Sequence, residues 1–159
     1  MSKRLSKNID SFEDYKLLAI VSHLKDYTLC YHINQNLRLD LVKYEDIDIA
    51  HNKVDENGFS WYYYKDSISG TTYYLVGNKN GNRNLIASQK TVDYFLLFKD
   101  LISDKVIIDF VKILRGISNI SAIFDIQMLQ IKDMDLLLES IELHELQFVT
   151  RRSDKGSLL

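Results

Sequence analysis

The chain has 159 residues, 46% hydrophobic, 26% charged and 11% aromatic. That is the profile of one soluble globular domain, not of a disordered, fibrous or membrane protein. Twenty Lys and Arg against 22 Asp and Glu leave a formal net charge of −2, which argues against a dedicated nucleic-acid binder. A chain of this length buries about 70% of its unfolded surface, enough to hold a fold without metal or disulfide, and Cys30 is its only cysteine.

Residues 1–11 and 150–159 are polar without apolar period and read as flexible tails, which leaves 12–148 as a single domain. The opening stretch MSKRLSKNIDSFED has charge but no apolar run behind it, so it does not read as a secretory signal. The longest apolar runs, 17–21 and 94–98, are far too short to span a membrane. A reduced cytoplasm is the expected setting.

Residues 15–21 (YKLLAIV) read as a strand buried on both faces. From Ser22 or His23 to Leu37 the period becomes helical, with Ser22 as N-cap and Leu29, Cys30, Ile33 and Leu37 on the inner side. Leu24, Tyr27 and Tyr31 extend the same apolar arc. Residues 39–49 read as a short edge strand and 51–58 as a loop. Residues 59–66 (FSWYYYKD) and 71–76 (TTYYLV) form a β-hairpin around Gly70, and 77–84 (GNKNGNRN) is a second turn.

A strand over 91–99 follows, apolar on both faces from Tyr94 to Phe98, as in the middle of a covered sheet. Ser103 caps the next helix, whose apolar face is Val106, Ile107, Phe110, Val111, Ile113 and Leu114, and Gly116 ends it. Residues 120–126 are another strand, and Asp133 or Asp135 opens a last helix through Ile141. The predicted fold is α+β, a single layer of mainly antiparallel or mixed β-sheet with about five strands packed with about three helices.

Residues 86–94 (IASQKTVDY) resemble the motif of a small bacterial family named for it, the IPExxxVDY proteins. Ile86 and Val92-Asp93-Tyr94 match, whereas Ala87 and Ser88 stand where the family has Pro and Glu. Residues 17–24 (LLAIVSHL) with Lys25-Asp26-Tyr27, and the aromatic hairpin, add to a similarity over roughly residues 12–148. The resemblance implies a fold and a bacterial cytoplasmic setting, not a reaction. A hydroxyl such as that of Ser88 cannot replace a carboxyl in proton transfer near neutral pH. The Pro-Glu pair therefore reads as a bend into the central strand, which Ala87-Ser88 makes less stiffly.

Two groups of side chains are candidate sites. His23, Asp26, Cys30 and Asn34 fall on one helical face at spacings of three and four. They could bind a metal or activate the thiol. The ordinary structural reading is stronger: Asp26 favours the helix dipole, while Cys30 and Asn34 sit at the core rim. Asp93 joins His23 and Asp26 as a polar group if a pocket lies between the first helix and the sheet. Trp61, Tyr62, Tyr64 and Tyr73 could form an exposed surface for a protein partner or, more weakly, for RNA. Alternation along a strand, however, sends only about half of these rings to one face. No phosphate loop, nucleophile elbow or zinc-protease motif is present, and no cofactor is called for.

The sequence thus favours a non-enzymatic cytoplasmic domain acting through protein contacts, as a homodimer or with another protein. The alternative is a small-molecule or metal-binding protein or enzyme using that pocket.

Overall fold

The computed structural model describes residues 12–49 and 58–150. The elements are β1 (Tyr15–Ser22), α1 (Asp26–Leu37), β2 (Val42–Lys43), β3 (Trp61–Lys65), β4 (Thr72–Gly77), β5 (Lys79–Asn80), β6 (Arg83–Asn84), β7 (Tyr94–Lys99), α2 (Asp104–Arg115) and β8 (Ile120–Asp125). A 3-10 turn (Met128–Gln130), α3 (Met134–His144) and a π-helical extension (Glu145–Thr150) complete the chain. Six strands form one sheet in the order β2-β3-β4-β7-β1-β8, every neighbouring pair antiparallel. The ribbon β5-β6 stands apart. The expected α+β architecture is thus an antiparallel sheet with helices on both faces.

β7 lies inside the sheet, as its apolar run predicts. Leu96 faces Leu18 of β1 and Leu75 of β4, and Phe95 faces Ala19 and Val76. Alternation then separates two cores. Leu18, Leu75, Leu96 and Phe98 pack with Leu29 and Ile33 of α1 and with Ile107 and Leu114 of α2. Leu17, Val76, Phe95 and Leu97 pack with Met134, Leu137 and Ile141 of α3. Burial on both sides explains why β1, β4 and β7 are nearly continuous in apolar residues.

Local signals work well at α2. The Ser103 hydroxyl accepts from the Val106 N–H at 3.3 Å, Asp104 places negative charge at the positive end of the helix dipole and Gly116 terminates the helix. Only Ile107 and Leu114 of its predicted apolar face are fully buried, and Val106 and Ile113 are exposed. At α1 the N-cap is Lys25 rather than Ser22, because β1 continues through Ser22, which pairs with Ile120 of β8. The Ser22 hydroxyl instead donates to the Asn119 carbonyl at 2.7 Å. Tyr27 and Tyr31 point to solvent, so the buried arc of α1 is narrower than its apolar residues suggest. The tails expected at 1–11 and 150–159 lie outside the described residues except Thr150, and of the expected 51–58 loop only Gly58 is described.

One buried polar residue organises residues 85–93. Asn78 is fully buried directly after β4. Its Oδ1 accepts from the Ile86 N–H at 2.8 Å, and its Nδ2 donates to the Gln89 and Val92 carbonyls, both at 2.8 Å. Its backbone adds bonds to Leu85 and Asp93. A turn closed by the Gln89 N–H on the Ile86 carbonyl at 3.0 Å contains Ala87 and Ser88, the position read as a bend.

Hydrogen bonds latch α3 and its extension to the sheet. Tyr15 donates to Glu142 at 2.6 Å and Tyr74 to Glu145 at 2.5 Å. His144 Nε2 bonds the Glu45 carbonyl at 2.7 Å, and its ring meets Trp61 edge-on. Burial lowers the His144 pKa and outweighs the opposing pull of that carbonyl and the nearby acids. The unfolded chain therefore binds the proton more readily. Stability is held above the ordinary value of 6.5 and lost as pH falls from there through the lower folded-state value. His144→Gln should flatten the change in urea midpoint between about pH 7 and about pH 5. An unaltered profile would exclude His144 as its source.

Candidate functional site

The ends of β1 and β4, the start of β7 and the N-terminus of α1 enclose an open cleft of about 550 Å³. It brings together three residues singled out from the sequence, His23, Asp26 and Asp93, with Lys43 and Lys79. Asp93 directly precedes β7, where its N–H donates to the Ile20 carbonyl at 2.9 Å. One carboxylate oxygen accepts from the Ser22 N–H at 2.8 Å and the other pairs with Lys79 at 2.9 Å. Asp26 opens α1, and its Oδ2 accepts from the Tyr62 hydroxyl at 2.8 Å and from Lys43 at 3.1 Å. Burial opposes its ionisation, but Tyr62 and Lys43 outweigh burial and hold the carboxyl below its ordinary range. Asp26 is therefore a poor proton carrier near neutral pH. His23 is exposed on the rim.

Cys30 and Asn34 do not line this cleft. Cys30 is buried against α1's inner side, and burial, with Asp26 nearby, pushes its thiol up to about 11. A thiol so held is not a nucleophile at neutral pH. Asn34 clamps the backbone ahead of β2, donating to the Leu41 carbonyl at 3.1 Å and accepting from its N–H at 2.9 Å. The helical spacing thus marks two structural residues and only two cleft residues. Among the described residues, no group of three or more His, Cys, Asp or Glu could hold a metal ion.

The aromatic surface expected on the hairpin is not exposed. Trp61, Tyr62 and Tyr73 are buried, and Tyr64 is partly buried, stacked on Tyr73 at 5.9 Å. The reason is the helical layer on each face: Trp61 belongs to the core under α3, Tyr62 and Tyr73 to the one under α1 and α2. These rings are therefore unavailable as a stacking platform for bases.

Exposed apolar side chains are spread over several elements, and one group of them lies around the outer strand β8. β8 closes the sheet on one side with six residues, while β2 at the other edge has two. Phe124 on β8 is 50% exposed, Ile108 on α2 55% and Leu129 after β8 63%. Ile108 and Leu129, with Ile107 and Met128, line a second groove of about 530 Å³ beside the end of β8. Arg115 reaches the Ile123 carbonyl at 3.0 Å. No residue pattern predicts this surface, because a strand's place at the edge is set by pairing and not by its own composition. Lys43 and Lys79 were likewise illegible as cleft residues, since each meets its aspartate across a long sequence separation.

No helix among the described residues is long and apolar enough to cross a membrane. Compared with known proteins, the chain matches no family model and no curated protein, so its function must be read from its own geometry.

Proposed function

We propose that this chain is a non-enzymatic domain that acts through protein contacts and pairs with a second copy along β8. The observation that carries the reading is the six-residue outer strand bearing exposed Phe124, with exposed Ile108 and Leu129 nearby. An outer strand leaves backbone N–H and C=O groups unpaired and is a template for another strand. Two copies of one edge can satisfy each other antiparallel about a two-fold axis. Arg115 at the Ile123 carbonyl limits how much of the edge is open and favours one register over indiscriminate pairing.

The absence of catalysis belongs to the same reading. It is supported by the ion-paired Asp26 and Asp93 and by the raised, buried thiol of Cys30. Kinship with the IPExxxVDY proteins and a bacterial cytoplasmic setting are also proposed. They are supported by the work of the motif residues, since Ile86 and Val92 bond Asn78 and Asp93 bonds Ser22.

Light scattering on the full chain tests the pairing. A dimer is expected at high protein concentration, and Phe124→Lys combined with Ile108→Lys should return it to monomer. Each change removes only the buried half of its side chain and should lower unfolding free energy by no more than about 1.5 kcal/mol, leaving the chain folded. A wild-type chain that stays monomeric and captures no partner would defeat the proposal.

A further inference from the structure

The cleft beside α1 carries equal numbers of fixed charges of each sign. Lys25, Lys43 and Lys79 line it with Asp26, Asp46 and Asp93. The two resolved ion pairs are asymmetric in a way that bears on ligand choice. Their acids are anchored by the protein itself, Asp26 by the Tyr62 hydroxyl and Asp93 by the Ser22 N–H. Their bases are long side chains 52% and 45% exposed, and Lys43 is further placed only by lying over the Tyr62 ring at 5.8 Å. Lysine–carboxylate pairs whose ammonium is exposed contribute little to stability, so little is lost when the lysine leaves.

We infer that this cleft binds a zwitterion, a free amino acid or short unblocked peptide, by exchange of ion pairs. The ligand ammonium takes the place of a lysine at Asp26 or Asp93, and the displaced lysine swings to the ligand carboxylate. An anion alone would approach two anchored carboxylates, and a cation alone would displace a lysine and leave it without a counter-charge. A zwitterion meets both needs and leaves every charge paired. The N-terminus of α1, where Lys25 gives no side-chain cap, adds positive potential on the same side for the carboxylate. The cleft's volume falls in the range of about 300–1,000 Å³ in which small ligands are held. The inference concerns a different surface from β8, so failure of the dimer leaves it standing.

The test is amide NMR titration of the full chain with alanyl-alanine, N-acetylalanine and alaninamide. These present both charges, the carboxylate alone and the ammonium alone. Alanyl-alanine should give saturable shifts at His23, Lys79 and Asp93, and each singly charged probe should bind at least about tenfold more weakly. Lys43→Gln and Lys79→Gln change exposed side chains and should fold normally. Each should weaken alanyl-alanine severalfold, and added salt should weaken it further. The inference is overturned if alanyl-alanine gives no saturable shift, if either singly charged probe matches it, or if both glutamine variants bind it as wild type does.

Discussion

Asn78→Asp is expected to cost about 5 kcal/mol of stability at neutral pH. Asn78 is fully buried and spends its amide on two carbonyls, Gln89 and Val92, while its oxygen receives the Ile86 N–H. The substitution keeps shape and acceptor but turns a donor into an anion facing two carbonyl oxygens. Leaving a buried polar group without its partner costs about 1–3 kcal/mol, and a buried charge costs more. Two lost donor bonds plus the charge amount to about 5 kcal/mol, a large share of the 5–15 kcal/mol that a typical domain holds. The sign of the pH effect is diagnostic. Burial raises the pKa of the new carboxyl in the folded state, so the folded chain binds the proton more tightly. The variant should therefore regain stability, relative to wild type, as pH falls, since a protonated carboxyl can again donate to one carbonyl. Urea unfolding across pH measures both effects. A loss below about 1 kcal/mol at neutral pH would show that Asn78 does not hold the 85–93 segment.

Phe95→Ala is expected to cost about 3–5 kcal/mol, the range for deleting a buried aromatic ring with little local collapse. Phe95 sits on β7 with Ala19 on one side and Val76 on the other, under α3. None of these neighbours can fill the space, because β1 and β4 are themselves held in register on their outer sides by β8 and β3. Phe124→Ala is the matched comparison. The same ring at half exposure on the outer strand should cost less than half as much. Equal losses in chemical denaturation would place β7 at no more protected a position than β8, against the strand order.

These two residues mark where residue order was informative and where it was not. Phe95 belongs to an unbroken apolar run, and its burial followed from composition because a strand apolar on both faces has few places to lie. Asn78 sits in GNKNGNRN, which reads as a solvated turn, and no local property distinguishes it from Asn80 or Asn84. Its burial depends on residues 85–93 folding back over the end of β4. Of the cleft, Asp26 and His23 share a helical spacing with Cys30 and Asn34, yet the spacing has no part in bringing Asp93 to them. The antiparallel pairing of β1 with β7 does that.

What the residues determined by themselves are the short-range features: the hairpin at Gly70, the Ser103 cap, the end of α2 at Gly116 and the inner sides of α1 and β7. Each rests on contacts within a few positions, where backbone geometry and periodicity leave little choice. Only the tertiary structure decided that Trp61, Tyr62 and Tyr73 face inward, that β8 forms the longer of the two sheet edges, and that Lys43 and Lys79 meet Asp26 and Asp93 in one cleft. Those outcomes depend on which surfaces cover which, a competition for burial among elements far apart in the chain that no single segment encodes.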